Sequence, residues 1–225
     1  MKPWTKRMWC INEIDEEYRN RMYDVLDLYE KEYDPFYPVI CFDEKHKKLI
    51  EDVRERIPIK PGKPEKYDYE YKRNGTANIF VAVDFKGGKR DVTVTDRRTK
   101  KDFAHYMKHL VDDVFTDAHK LIIVLDNLNT HFKKSIIDTF EKEEATRLLN
   151  KLEFHYTPKH ASWLNIAEIE INVMDMECTG GRMKNKDYLM KETMAWCSDR
   201  NEKNSKINWN FTKKKADKKL SKYYI

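Results

Sequence analysis

Apolar residues recur at helical spacing near the start of the chain. In EEYRNRMYDVLDLYEKEYD, the larger apolar side chains fall on one stripe of a helix: Tyr18, Met22, Val25, Leu26 and Tyr29. Pro35 and Pro38 then follow, and proline cannot continue the hydrogen bonding of a helix interior. The pattern therefore predicts one amphipathic helix before the main body of the chain.

After Pro38 the pattern changes to short apolar runs separated by turn signals, which is typical of β-strands. PVICFDEK predicts a short strand whose apolar run is broken at Asp43. NIFVAVDF and KRDVTVTD flank the pair Gly87-Gly88, and a two-glycine turn between such segments predicts a β-hairpin. Between these strands, the charged and proline-punctuated RERIPIKPGKPEKYDYEYKRNGT predicts a long surface excursion.

Helices and strands alternate in the second half of the chain. Thr99 is a candidate N-cap for a helix that runs to about Val114. KLIIVLDNLNTH is apolar on both faces and predicts a central strand that ends at Asp126. Beyond it, KKSIIDTFEKEEATRLLNK predicts one helix, LEFHYTP a strand, SWLNIAEIEIN a helix, and residues 187–201 a last helix. From residue 39 onward this order predicts an α/β fold.

Length and composition exclude several classes of protein. The chain has 225 residues, of which 40% are hydrophobic, enough for one generous domain. Its longest apolar runs, such as LIIVL, are far shorter than the roughly 20 residues of a membrane span, so we expect no membrane partner and a cytoplasmic location. Four cysteines without a CxxC pair argue against a zinc ribbon or a disulfide framework.

Positive charge is concentrated at the C-terminal end. The chain has a net charge of +5, whereas the segment from Lys184 onward has 12 basic and 5 acidic residues and so carries +7 by itself. Such a segment favours binding to the phosphate backbone of a nucleic acid. A solvated lysine-rich surface gives the same composition, so charge alone leaves both interpretations open.

Two aspartates stand where apolar strand runs end. Burying an unpaired carboxylate is costly, and a divalent cation compensates for it. Asp43 and Asp126 on neighbouring strands, with one acid from a nearby helix, predict an oxygen-rich site suited to Mg²⁺ or Mn²⁺. Such a site can hold two ions for phosphodiester chemistry. Each aspartate alone is explained equally well as a turn cap, so the prediction depends on the joint arrangement.

The helix after Pro158 offers two candidates for the third acid. Residues three and four apart share one face of a helix. Glu168 therefore lies with polar residues, and Glu170 with apolar ones, namely Ile166, Val173 and Met174. Glu168 is the better candidate for facing an open metal site, and Glu170 remains the alternative.

Several stretches resemble one family of mobile-element enzymes. CFDEK, YDYEYKRNGTANIF, VTDRRTKKDFAHYM, VLDNLNTH and LEFHYTPKHASWLNIAEIE, together with a closing W and FT..KAD.KL pattern, are similar to the catalytic domain of mariner-related insertion-sequence transposases, the insertion-sequence 630 family. The similarity runs through nearly the whole chain from about Trp4. It implies a ribonuclease-H-like fold with a mixed central sheet of about five strands flanked by helices.

The resemblance also implies roles for individual residues. Asp43, Asp126 and Glu168 correspond to the Asp-Asp-Glu catalytic triad, which binds two Mg²⁺ or Mn²⁺ ions. Contacts with DNA are expected from a further set of residues: His131, Lys159, His160, Trp163 and Asn165. The implied reaction is metal-dependent cleavage and strand transfer at transposon ends, with terminal inverted repeats and target DNA as partners and a homodimer as the assembly.

A division of the chain follows from the same resemblance. Residues 1–37 are expected to be a helical linker, residues 38–200 the catalytic domain and residues 201–225 a basic C-terminal tail. Family members normally begin with helix-turn-helix modules, and this chain resembles them only from the linker onward, so that region is expected to be missing. Two rivals remain: an inactive remnant that only binds DNA or the active enzyme, and a doubly wound hydrolase with Asp126 as nucleophile.

Overall fold

The computed structural model describes residues 13–225, and a mixed five-stranded sheet forms its centre. The strands are β1 (Val39–Asp52), β2 (Tyr71–Asp84), β3 (Lys89–Thr95), β4 (Leu121–Leu125) and β5 (Leu152–Tyr156). They lie in the order β3-β2-β1-β4-β5. β1 and β3 are antiparallel to β2, whereas β1, β4 and β5 run parallel. The α/β fold with a mixed sheet of five strands is therefore confirmed.

Helices cover both faces of this sheet. They are α1 (Glu16–Glu30), α2 (Lys100–His109), α3 (Lys133–Thr139), α4 (Lys142–Lys151), α5 (Ile166–Met174), α6 (Lys186–Glu202) and α7 (Lys213–Leu220). One π-helical turn, Leu110–Val114, extends α2, and another, Asp175–Thr179, extends α5. Within residues 13–225, none of the helices has the length and apolar character needed to cross a membrane.

Alternating residues of β1 belong to different cores. Ile40 and Phe42 lie in an apolar cluster with residues of α2, α3 and α4. Val39 and Cys41 face the other way and pack with residues of α1, α5 and α7. Because side chains alternate across a strand, the two sides of one short apolar run bury both helical layers against the sheet. α6 covers a third cluster over β2 and β3.

β1 is longer than the apolar pattern predicted. Asp43 is the fifth of its fourteen residues, and the polar half that follows pairs with β2 through Asp52. β2 begins at Tyr71, so the predicted surface excursion is restricted to residues 53–70. The side chains of β1 become polar after Phe42 because the second half of the strand extends past β4, which pairs with β1 only as far as Cys41. Strand pairing there continues through backbone hydrogen bonds, which require no apolar side chains.

The segment predicted as one helix after β4 is two helices. α3 ends at Thr139, and Phe140 and Glu141 both have extended backbone angles before α4 begins. Phe140 packs against the α2–α4 core, with its ring 5.1 Å from that of His105. The break thus turns an aromatic side chain inward, a preference that helical periodicity does not reveal.

Two local predictions are confirmed. Gly88, in the turn between β2 and β3, has φ of +82°, a conformation that glycine adopts without strain. Thr99 caps α2 in a reciprocal capping box with Asp102. Both features depend on neighbouring residues only, which is why the sequence reveals them.

The lysine-rich C-terminal region is folded onto the domain. α7 buries Ala216 and Leu220 in the core that α1 shares, and the hydroxyls of Tyr23 and Tyr224 both donate to Asp217. The basic tail predicted for residues 201–225 therefore contains a packed helix. At the other end, residues 1–12 of the predicted linker, including Cys10, lie outside the described residues.

Candidate active site

Asp43 and Asp126 come together where the parallel pairing of β1 and β4 ends. Cys41 and Val124 are the last residues paired between β1 and β4, and each aspartate lies two residues further along the chain. Residues two apart share a face of a strand, so both carboxylates lie on the side covered by α5. The parallel pairing is what brings residues 83 positions apart in the chain to the same level.

The first turn of α5 faces these aspartates. Asn165 caps the helix by accepting from the Ala167 backbone NH at 3.1 Å, and its side-chain amide donates to the Phe42 carbonyl at 2.8 Å. The same amide nitrogen lies 3.4 Å from Asp43 Oδ2. Asn165 is fully buried and ties the start of α5 to β1 beside Asp43. The same first turn carries Glu168, which is half-buried.

The three carboxylates influence one another electrostatically. The pKa of Asp43 is raised to about 7, chiefly by burial and also by the charges of Glu168, Glu44 and Asp126, against the opposing hydrogen bond from the Glu44 backbone. Burial and the charge of Asp126 likewise raise the pKa of Glu168. Such raised values mark a site with more negative charge than its protein partners neutralise.

The donor set fits a hard divalent cation, which prefers carboxylate oxygens. Within residues 13–225, the side chain of Glu168 makes no hydrogen bond or ion pair, and the carboxylate of Asp126 uses only Oδ1 for its contacts. Among those same residues, no three His, Cys, Asp or Glu side chains are arranged closely enough to hold a metal ion. The carboxylates thus share one end of the sheet without converging on a point.

His131 holds Asp126 from the opposite side of the sheet. Its Nδ1 lies 2.6 Å from Asp126 Oδ1, and its Nε2 lies 3.0 Å from Glu44 Oε2, close enough for an ion pair although poorly aligned for a hydrogen bond. Burial would lower the pKa of His131, but the two carboxylates outweigh it and raise the pKa to about 9. Burial would raise the pKa of Asp126, but His131 outweighs it and lowers the pKa.

The ring of His131 is 1% exposed and packs against Phe42 and Phe103. With both nitrogens facing carboxylates, it has no route to a phosphate. Its position thus disagrees with the DNA contact expected from the sequence. Asn165, expected to contact DNA as well, is also buried. Both residues instead hold a candidate catalytic aspartate in place.

The other expected DNA contacts lie nearer the surface. Lys159 and His160 are exposed in the loop after β5, where His160 has φ of +60°. Trp163 is half-buried, with its ring edge-on to Phe211 at 5.3 Å. Lys159 and His160 are therefore accessible to a ligand, whereas Trp163 mainly fills the space between α5 and the C-terminal segment.

Glu170 lies in a separate, buried ionic cluster. Its side chain is 1% exposed, and its Oε1 accepts from Arg90 Nε at 2.5 Å and from Arg200 Nε at 3.1 Å. The Arg90 side chain is 0% exposed and also donates to the carbonyls of Gly88 and Ser205. Glu170 thus joins α5 to β3 and α6 and points away from the aspartates.

The family of the chain is shown by a match over the region that contains these residues. Residues 38–190 match the family described as DDE superfamily endonuclease. The chain belongs to this family. The match extends from the start of β1 into α6 and so includes all three candidate acids of this endonuclease domain. No curated protein matches the chain.

Solved transposase structures share the fold. The Mos1 strand transfer complex has a TM-score of 0.58 at 14% identity, and the Mos1 mariner paired end complex with Mn has 0.54 at 16%. Each comparison covers 89% of this chain and 60% or 61% of the Mos1 chain. The endonuclease domain therefore spans about three fifths of the length of those proteins and has the same ribonuclease-H-like architecture.

Two charged contacts at the site were missed from the sequence. Arg98 ion-pairs with Glu44 at 3.1 Å, beneath His131. Arg21 of α1 donates to Asn127 Oδ1 at 2.5 Å, next to Asp126. The only sequence signal for Glu44 and Asn127 is that each directly follows a candidate aspartate. Nothing in the local pattern around Arg21, which lies 106 positions from Asn127, indicates such a contact.

Proposed function

We propose that this endonuclease domain is the catalytic part of a DNA transposase, of the insertion-sequence 630 type, that cleaves and joins DNA at transposon ends. The observation that carries the proposal is the placement of Asp43 and Asp126 at the same level of adjacent parallel strands, with Glu168 approaching from α5. Membership of the DDE endonuclease family and the fold shared with Mos1 support it.

Asp43, Asp126 and Glu168 are the residues we assign to metal binding. Mg²⁺ or Mn²⁺, bound as two ions, would activate the attacking oxygen and stabilise the leaving oxygen of an in-line displacement. The paired-end Mos1 complex with Mn supports the choice of cation. Burial and the charges of neighbouring carboxylates raise the pKa of Asp43 and Glu168, and a divalent cation would compensate for both effects.

The remaining site residues position these acids or the substrate. His131 fixes one oxygen of Asp126, and Asn165 fixes the start of α5 against β1, so both limit the rotation of a metal ligand. Lys159 and His160 are the exposed groups we assign to DNA phosphates beside the site. The partners would be terminal inverted repeats and target DNA, with two copies of the chain acting together.

The same proposal includes the division of the chain. Residues 38–200 would form the catalytic domain, and residues 1–37 would link it to a recognition region. Residues 201–225 would form a basic C-terminal segment, part of which packs on α1. The Mos1 structures, of which this chain covers about three fifths, are compatible with such a larger protein.

The test is Mn²⁺-dependent cleavage of supercoiled plasmid by the 225-residue chain. Asp126→Ala and Glu168→Gln are the test variants, and Glu143→Gln, an exposed acid on α4, is the matched control. We expect nicking by the wild type and the control but not by the two site variants. Nicking that survives in Glu168→Gln would refute the assignment of the third acid.

If the wild type does not cleave, measuring its Mn²⁺ binding by calorimetry separates the rival explanations. Binding that Asp126→Ala abolishes would indicate an intact metal site that lacks a recognition region. Neither cleavage nor metal binding would refute the proposal and favour an inactive remnant.

A further inference from the structure

A basic trough lies beside the candidate active site, along the polar half of β1. Its cavity has a volume of about 610 Å³ and is lined by Lys45, Lys47, Lys48, Arg56, Arg182 and Tyr67, among others. A second cavity of about 790 Å³ shares Ile50, Arg56, Gly181 and Arg182 with it and so continues it along the arm formed by β1 and β2. We call the first cavity the basic trough.

The floor of the basic trough exists because β1 extends beyond its neighbour β4. The β1–β4 pairing ends at Cys41, so the later residues of β1 have no strand on that side. The chain after α5 fills part of the gap, since Leu49 pairs with Met183 and the Ile50 backbone NH donates to the Met183 carbonyl at 2.7 Å. This segment forms one wall, and the loop 53–70 forms the other.

Lysine side chains hold the first wall in place. Lys45 ion-pairs with Asp175, and Lys47 donates to the carbonyls of Thr179 and Gly181. The hydrogen-bond partners of Lys47 are neutral carbonyls, and Asp175, whose charge acts on Lys47, also ion-pairs with Lys45. One carboxylate thus faces two lysines, which leaves a net positive charge at the bottom of the basic trough.

An arginine of the first wall lies over aromatic rings, one of which belongs to the second wall. Arg182 ion-pairs with Asp52 at 2.6 Å and lies over the rings of Tyr67 and Tyr71, at 4.9 and 5.4 Å from their centroids. Tyr67 itself is 65% exposed. A cationic groove with exposed aromatic rings is a combination that nucleic acids bind, through phosphates and through stacking.

The balance of charge in the basic trough is positive. Five Lys and Arg side chains line it, against two carboxylates in the lining, Glu65 and Asp175. A third carboxylate, Asp52, pairs with Arg56 and Arg182 from the side. An extended anion is therefore the ligand whose charge complements this surface.

The basic trough lies next to the candidate acids along β1. Asp43, Lys45 and Lys47 alternate along β1 and so share one face, with about 6.6 Å between successive members. The charge of Lys45 acts on Glu168, which places this lysine at the boundary between the acids and the trough. A DNA strand whose scissile phosphate lay at the acids would place its neighbouring phosphates over Lys45 and Lys47.

We propose that the basic trough binds the phosphate backbone of the DNA strand that flanks the scissile phosphate. This inference rests on the proposed function, since it takes DNA as the substrate. The trough would orient that strand across the acids through several charge contacts, which carry affinity but no sequence information. Lys48 and Arg56 at its rim would meet the backbone first.

The test measures DNA binding apart from cleavage. Anisotropy of a short fluorescein-labelled duplex of arbitrary sequence is followed in EDTA, over a range of salt concentrations. Lys48→Glu reverses an exposed charge of the basic trough, and Lys142→Glu makes the same change on exposed α4, on the opposite face of the sheet. Lys47→Gln is the second test variant, because it removes the half-buried charge at the bottom of the trough.

We expect Lys47→Gln to lower the slope of log Kd against log salt by about 1, and Lys48→Glu by at least as much. Lys142→Glu should leave the slope unchanged. An equal decrease of this slope in Lys48→Glu and Lys142→Glu would overturn the proposed role of the basic trough and indicate a general charge effect. Thermal unfolding checks each fold, and Lys48→Glu alone decides the result if Lys47→Gln does not fold.

Failure of the basic trough and failure of the proposed function give different results. A wild type that binds DNA and nicks plasmid, with both trough variants binding like the wild type, would overturn only the trough. A wild type that neither binds DNA nor nicks would overturn both. Calorimetry should show unchanged Mn²⁺ affinity in Lys48→Glu, since that residue lies outside the acid cluster.

Discussion

Glu168 and Glu170 lie two residues apart on one helix, and we expect their neutralisation to have opposite consequences. Glu170→Gln would leave Arg90, whose side chain is 0% exposed, without its carboxylate partner. Removing one member of a buried ion pair costs about 3–5 kcal/mol, because the other charge remains desolvated. At about 2–4 °C per kcal/mol for a chain of this size, the melting temperature should fall by roughly 6–20 °C.

Glu168→Gln removes a carboxylate whose pKa is raised by burial and by the charge of Asp126. The stability of Glu168→Gln should stay within about 0.5 kcal/mol of the wild type, because the Glu168 side chain has no hydrogen bond or ion pair to lose. Of the two variants, only Glu168→Gln is expected to lose plasmid nicking.

Differential scanning calorimetry in EDTA, paired with the nicking assay below the melting temperature of each variant, measures both effects. A Glu170→Gln protein as stable as the wild type would refute the role of the buried ionic cluster. A Glu170→Gln protein that folds but does not nick, beside an active Glu168→Gln, would exchange the two assignments.

Three further predictions concern titration and helix capping. Because the pKa of Asp43 is raised from 3.8 to about 7, the folded state binds this proton more tightly, so the free energy of unfolding should fall as pH rises across that interval. Urea titrations of metal-free Asp43→Asn should lack this fall, and an unchanged slope would contradict the burial of a carboxyl there. For His131, with its pKa raised from 6.5 to about 9, the stabilisation is complete below 6.5 and is lost as pH rises to about 9. In His131→Asn this alkaline loss of stability should disappear. An NMR titration of the wild type in which the His131 imidazole titrates near 6.5 would refute its ion pairs with Asp126 and Glu44. Thr99→Ala removes the cap of α2 and should cost about 1 kcal/mol in urea unfolding, whereas Thr146→Ala, exposed within α4, should not destabilise. Equal effects of the two threonine variants would argue against the capping box.

Elements whose signals are local could be predicted from the sequence alone. The stripe of α1, the glycine turn before β3 and the Thr99 cap each depend on residues within a few positions of one another. The order of strands and helices from residue 39 onward, and hence the α/β class, followed from these signals. Asp43 and Asp126 were also found this way, because a carboxylate that ends an apolar run is visible without tertiary contacts.

The length of β1, and the choice of the acid on α5 that faces the aspartates, depend on long-range packing. The polar half of β1 is a strand because β2 pairs with it, and local hydrophobicity carries no trace of that partner. The apolar neighbours of Glu170 predict burial but not the guanidinium groups that make burial tolerable, since Arg90 and Arg200 lie 80 and 30 positions away. His131 likewise resembles a loop residue until the sheet places it between Glu44 and Asp126. Partners this distant in the chain are brought together by packing, and packing energy depends on three-dimensional contacts that a one-dimensional pattern does not contain.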